Sequence, residues 1–186
     1  LSADPTISES GVLTFTPADD QHGATDITVR LTDSGGTENG GVDSFERTFT
    51  ITVNPIADTP NITGSTTNED IMSDTGLCIS RNVVDGDEVS HFKITDIENG
   101  TLYQNDGEAQ INDSEFIEYD ENNNCLKFDP ADNYFGDGFV TIQAAVCESQ
   151  QCLGGVQVIA TITVNSVNDQ PSFEDTDVEV DEDSGL

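Results

Sequence analysis

Short stretches in which apolar residues alternate with polar residues recur along the whole chain. Examples are residues 12–15, 27–31 and 92–95, where threonine or a charged residue separates the apolar positions. Alternation over four to seven positions is typical of a β-strand with one buried face. Gly, Asn, Asp and Pro cluster between these stretches, and they are the residues that turns require. The sequence therefore predicts an all-β fold of antiparallel Greek-key sandwiches, with no long helix.

Two parts of the chain repeat each other. Leu13-Thr-Phe-Thr-Pro17 matches Leu126-Lys-Phe-Asp-Pro130, and Ile51-Thr-Val-Asn54 matches Ile162-Thr-Val-Asn165. A repeat of this length is a whole small domain, and several of them form a tandem array. We therefore divide the chain into the C-terminal half of a first repeat (1–57), a complete repeat (58–170) and the start of a third (171–186). The missing strands of the first repeat would come from a longer polypeptide or from another chain.

The sequence of the complete repeat predicts six main strands and a short additional pair. We expect residues 101–104 and 115–119 to pair with each other as two short strands. The main strands are expected at about 60–67, 76–83, 90–98, 125–129, 137–147 and 155–165, with the first of these opening the repeat and the last closing it.

The charge is strongly one-sided, with 37 Asp and Glu residues against 5 Lys and Arg and a formal net charge of -32. Nucleic acid is excluded as a natural partner, because binding to phosphates needs basic residues. Direct membrane insertion of this segment is not expected either. Such a charge destabilises a compact state unless divalent cations or high external salt screen it. A solvated acidic surface is the alternative interpretation.

Four cysteines and three glycosylation sequons lie in the complete repeat. An even cysteine count, without zinc-ribbon or CxxC spacing, favours disulfides and an oxidising, extracellular compartment. We expect Cys78–Cys125, between neighbouring strands, and Cys147–Cys152, across the last hairpin. The sequons begin at Asn61, Asn99 and Asn112, and each is a candidate for N-linked glycosylation.

Acidic and amide residues gather at the boundaries between repeats. Calcium binds six to eight oxygens from carboxylates, amides and carbonyls, and a boundary collects such groups from two domains. The candidate calcium ligands are Asp58, Glu69, Asp70, Asn168, Asp169, Glu182 and Asp183. We expect them to form one cluster at each boundary. The alternative is that Asn and Asp serve only as turn residues of the linkers.

Several segments resemble the tandem cadherin-like and VCBS-type repeats of giant surface proteins. The exit Val164-Asn-Ser-Val-Asn-Asp-Gln-Pro171 looks like the DxNDNxP-type calcium motif of cadherin-like repeats, and Asn54-Pro-Ile-Ala-Asp-Thr-Pro60 is a weaker copy. The segments 76–86, 126–130 and 133–136 resemble VCBS-type repeats. The resemblance implies an extracellular sandwich module in a stalk, adhesin or filament, stiffened by calcium. The cysteines depart from the usual cysteine-free bacterial pattern.

The sequence analysis therefore favours a structural or adhesive module of a large extracellular, cell-surface protein. Its expected partners are neighbouring repeats of the same polypeptide, other copies in a filament, or a cell-surface ligand. The alternatives are a ligand- or glycan-binding adhesin module and a polymer subunit completed by strand exchange. An enzyme is not expected, since no nucleophile, general base or metal constellation stands out.

Overall fold

The computed structural model describes residues 1–171, 179 and 182. The described chain is all-β: it has fourteen strands and two short 3₁₀ turns, at Glu38–Gly40 and Gln150–Cys152. The strands are β1 Thr6–Ile7, β2 Leu13–Thr14, β3 Gly23–Thr32, β4 Ser44–Val53, β5 Asn61–Ile62, β6 Ser65–Asn68, β7 Ile79–Ser80, β8 His91–Glu98, β9 Gly100–Tyr103, β10 Gln110–Ile111, β11 Phe116–Glu118, β12 Lys127–Pro130, β13 Gly136–Ala145 and β14 Leu153–Asn165. The prediction of an all-β chain without a long helix is confirmed.

One five-stranded sheet organises residues 58–170. Its strand order is β11-β8-β13-β14-β6. The pairs β11–β8, β8–β13 and β13–β14 are antiparallel. The outer strand β6 instead runs parallel to β14, with Ser65 opposite Ile162 and Asn68 opposite Asn165. The early strand β6 and the last strand β14 of this repeat therefore lie side by side and point in the same direction.

A second set of strands faces this sheet. It contains the sheet β10-β9-β12 and the pair β5–β7. A bridge between Cys78 and Cys125 joins the two parts, and the backbone N–H of Ile79 donates to the carbonyl of Asn124 at 2.9 Å beside it. Together these strands form the second layer of the repeat.

Apolar residues from both layers share one core. Phe92, Ile142 and Ile162 come from the five-stranded sheet, while Leu102 and Phe128 come from the facing strands, and all are at most 1% exposed. Their neighbours along each strand are more exposed, as on β14, where Thr161 and Thr163 flank Ile162. The period of two thus directs one side of each strand inward. The arrangement is consistent with a β-sandwich.

The expected pairing of residues 101–104 with 115–119 is wrong. Strand β9 pairs with β10 and β12, whereas β11 pairs with β8 in the other sheet. The turn after β9 explains the difference. Asp106 Oδ1 accepts hydrogen bonds from the N–H groups of Glu108 and Ala109, so the chain reverses at once and β10 takes the edge of β9. Alternation predicts a strand but does not specify its partner.

The first 57 residues form a separate long hairpin and a short one. Strands β3 and β4 pair antiparallel over ten residues each, starting at Gly23 opposite Val53. The hairpin of β13 and β14 starts in the same way, at Gly136 opposite Val164. The two matching sequence segments therefore adopt the same strand register at the same end of their hairpins.

Substitution of Ile162 tests the packing described above. Ile162→Ala is expected to lower the free energy of unfolding by about 2–5 kcal/mol, because it leaves a cavity in a closed core. Ile159, on the same strand, is 65% exposed, and Ile159→Ala is expected to change stability by no more than about 0.5 kcal/mol. Urea unfolding measures both variants. Equal losses would contradict the assigned faces of β14.

Candidate functional site

The candidate residues lie at two ends of the complete repeat, which strand β14 connects. We call the end near residues 57–59, where the chain enters, the leading end, and the end near residues 165–167, where it leaves, the trailing end. At the leading end, Gly154 and Gly155 pack so closely against residues 57–59 that an added Cβ would collide with their backbone. At the trailing end, Asn165 lies opposite Asn68. Ten residues of an extended strand, from Gly155 to Asn165, place these ends about 33 Å apart.

The structure does not bring Asp58 together with Glu69 and Asp70, so the single cluster expected at this boundary is wrong. Asp58 lies at the leading end, beside Gly155. Glu69 lies at the trailing end, where its backbone N–H donates to the carbonyl of Asn165 at 2.9 Å. The physical reason is the direction of β6. This strand pairs in parallel with β14, so it carries the chain away from Asp58 to the opposite end of the repeat.

At the trailing end, Glu69 binds the segment that follows β14 to the repeat through a hydrogen bond. Glu69 is only 5% exposed, and its Oε1 accepts a hydrogen bond from the backbone N–H of Val167 at 2.5 Å. The neighbouring Asp70 accepts one from the N–H of Asn133 at 3.0 Å. Asn168 and Asp169 follow directly and are exposed. Four of the candidate residues therefore do share one end.

The remaining candidates for the next boundary are less informative. Glu182 is an exposed turn residue, and Asp183 lies outside the described residues. Within the part of the chain that the structure describes, no group of three or more His, Cys, Asp or Glu side chains is arranged to hold a metal ion. Calcium therefore stays a prediction.

At the leading end, a cleft of about 350 Å³ separates the first 57 residues from the complete repeat. The N–H of Asp58 donates to both carboxylate oxygens of Asp85, at 3.1 and 3.2 Å. Across the cleft, His22 Nδ1 lies 3.8 Å from Glu88 Oε1. Apolar residues including Pro17, Ile56 and Val84 complete the walls.

The pKa values of two carboxylates in this cleft are shifted in opposite directions. Burial raises the pKa of Asp85, and the nearby carboxylates of Asp58 and Glu88 raise it further, against the hydrogen bond from Asp58. The backbone N–H of Gly86 lowers the pKa of Glu88, with smaller contributions from His22 and Arg81. Asp85, Glu88 and His22 were not among the predicted site residues. The sequence signal for Asp85 and Glu88 is the acidic turn 85–88, and such turns are common in loops.

Both predicted disulfides are confirmed. Cys78–Cys125 spans 47 residues and joins the two parts of the second layer, and Cys147–Cys152 closes the hairpin of β13 and β14. On the chain-entropy model these bonds stabilise the fold by about 4 and about 2 kcal/mol, respectively. They indicate an oxidising location outside the cytoplasm.

All three sequon asparagines are exposed. Asn61 lies on β5, while the side-chain amide of Asn99 donates to the carbonyl of Asp137 and that of Asn112 to Glu115. Each is accessible at the surface, and its glycosylation stays a prediction.

Comparison with known proteins leaves the family open. No protein-family model matches the chain, and no curated protein matches it significantly. Among the described residues, no helix has the length and hydropathy needed to cross a membrane.

Substitution of Asp85 tests the electrostatics of the cleft. A raised pKa means that the folded state holds the proton more tightly than the unfolded state, so ionisation of Asp85 costs stability as pH rises through its folded pKa. Asp85→Asn is therefore expected to increase the free energy of unfolding at pH 7, and this gain should vanish below the usual carboxyl value of 3.8.

The control is Asp74→Asn, which removes one charge from an exposed position. Urea unfolding between pH 3 and 8 compares the two variants. If Asp74→Asn stabilises the protein as much as Asp85→Asn does, general charge reduction explains the effect and the specific role of Asp85 is wrong.

Proposed function

We propose that this chain is a non-enzymatic structural or adhesive repeat module of a large extracellular, cell-surface protein. The module is built from tandem Greek-key, cadherin-like sandwiches and acts as a stiff spacer. The two disulfides support this proposal, because small extracellular modules use such bonds to reinforce limited cores. The repeated sequence segments and the matching hairpin registers support a serial arrangement.

The observation that carries the proposal is that the chain enters and leaves the complete repeat at opposite ends. Residues 57–59 lie beside the start of β14, and residues 165–167 follow its end. A spacer needs this geometry, because each repeat then adds its full length to the array. A recognition domain does not need it, since its termini can lie together.

The pairing of β6 with β14 suits a module that carries tension. A pull on the chain draws β6 toward the leading end and β14 toward the trailing end, because their termini lie on those sides. The parallel ladder between them is then loaded in shear, so that its hydrogen bonds must break together. Opening the same ladder from one end would break the bonds one at a time.

Two further features limit extension at the repeat. The Cys78–Cys125 bond prevents the segment between its cysteines from extending, since a covalent link closes it. At the trailing end, the hydrogen bond from Val167 to the buried Glu69 anchors the first residues of the linker. A linker held by its domain bends less than a free one.

Pulling the molecule in two directions tests the proposal. Handles attached at Ile56 and Val167 load β6 and β14 in shear, whereas handles at Ile71 and Val167 pull at the trailing end alone. Both pairs use exposed side chains and the same second attachment point. We expect single-molecule rupture forces to be several-fold higher for the first pair. Equal forces would show that the parallel ladder bears no load and would contradict the spacer function.

Calcium is proposed as a cofactor at the trailing end only. Glu69 and Asp70 lie there, and Asn168 and Asp169 follow Val167, whose N–H donates to Glu69. Calcium binds carboxylate and amide oxygens of this kind without strict geometry. An ion that binds the folded end stabilises it by mass action. Chelation with EDTA is expected to lower the melting temperature, and added Ca²⁺ should restore it.

The matched variants for this experiment are Asp169→Asn and Asp113→Asn, which each remove an exposed carboxylate. Only the first should reduce the response to calcium. If melting temperature and small-angle scattering length do not change with EDTA, these acids are solvated linker residues and the calcium proposal is wrong.

A further inference from the structure

The hairpin of β3 and β4 carries a mainly apolar face that is largely open to solvent, with Arg47 opposite Val29 on the same side. Ile27, Val29 and Leu31 alternate along β3, so they lie on one side of it. The register places Phe49 opposite Ile27 and Phe45 opposite Leu31, on the same side. Leu31 and Phe45 are 65% and 62% exposed, and Phe49 is 37% exposed. We call these five residues the hairpin face.

One pair of the hairpin face has a buried counterpart in the complete repeat. Counted from the matching first pairs of the two hairpins, Ile27 and Phe49 correspond to Val140 and Ala160, which are also paired. Val140 and Ala160 are 0% and 2% exposed. One strand position thus lies in a core in the complete repeat and at the surface in the first 57 residues.

The edges of the two hairpins differ in the same way. In the complete repeat, β13 pairs on its outer edge with β8 and β14 pairs with β6. Among the described residues, β3 and β4 pair only with each other. An unpaired strand edge presents a row of backbone donors and acceptors to which another strand can bind. The hairpin therefore lacks one antiparallel neighbour, one parallel neighbour and a facing layer.

We propose that the hairpin face is a docking surface for the first half of a repeat of the same kind, that is, for a segment with the strand pattern of residues 61–103 of this chain. This interface already exists once in the molecule, where residues 61–103 cover β13 and β14 and pair with their edges. The inference rests on the repeat architecture of the proposed function.

A second copy of the hairpin is a poorer occupant. Packed face to face, two hairpins would cover Phe45 and Phe49 but would leave the outer edges of β3 and β4 unpaired. A segment like 61–103 satisfies the face and both edges together, since it supplies the equivalents of β6 and β8. Strand addition of this type derives affinity from the backbone and specificity from the alternating side chains.

The test extends the full chain with a second copy of residues 58–113 placed before Leu1. In this added copy Cys78→Val removes the cysteine. Cys78 bonds to Cys125 in the complete repeat, but the position that corresponds to Cys125 in the first 57 residues is Val12, which cannot form a disulfide. We expect amide hydrogen exchange in β3 and β4 to slow by at least about tenfold, as for strands that enter a core. Binding of a hydrophobic dye should decrease. The complete repeat in the same molecule reports whether the protein is folded.

Two matched variants identify the contact. An extension that carries Phe92→Ser and Ile94→Ser keeps its length but loses its apolar side, and it should give no protection. Phe49→Ser in the receiving hairpin should abolish the protection given by the intact extension. In the unextended chain, where Phe49 is already partly exposed, the same substitution should change hydrogen exchange little.

Two results would overturn the inference. The first is an extended chain whose β3 and β4 exchange as fast as those of the original chain, while the complete repeat stays protected. The second is a dimer of the original chain, seen by sedimentation, that is lost on Phe49→Ser, since a second copy would then be the occupant. Neither result changes the rupture forces of the complete repeat, so the spacer function is tested separately.

Discussion

The parallel pairing of β6 with β14 is the constraint on which the rest of the structure depends. It forces the chain, which enters beside Gly155, to travel the length of the repeat before it reaches Glu69. It also places β6, near the start of the repeat, and the last strand β14 in one ladder, so that the two terminal parts of the repeat hold each other. The separation of the two sets of acidic residues and the serial geometry of the proposed spacer both follow from it.

The hydrogen-bonded carboxylates are also divided between the two ends of the repeat. With a net charge of -32, the protein has few basic groups, so backbone N–H groups stabilise key carboxylates instead. The backbone N–H of Val167 donates to the Glu69 carboxylate at the trailing end, and that of Asp58 donates to the Asp85 carboxylate at the leading end. At Asp85 this hydrogen bond offsets only part of the cost of burial, since the pKa of Asp85 stays raised. The acidic residues thereby help to fix the linkers rather than only repel each other.

Much of the fold could be predicted from the alternation of apolar and polar residues and from the strand order expected of a sandwich. Alternation located the long strands β13 and β14, and the position of Cys78 and Cys125 on adjacent strands gave their pairing. The partners of β9 and β11 could not be predicted, since strand pairing depends on contacts distant in sequence. Asp58 and Glu69 are near in sequence, yet only the path of β6 shows that they lie at opposite ends. The role of Asp85 depends on burial, which an acidic turn does not reveal.

The most direct test of this account is the distance between the two ends of the complete repeat in solution. Spin labels at Ile56 and Val167 measure the separation across the repeat, and labels at Ile71 and Val167 provide the comparison within one end. The account predicts a distance of about 30 Å or more for the first pair, from the length of β14, and a much shorter one for the second. Similar distances for both pairs would contradict it, because the chain would then enter and leave the repeat at the same end.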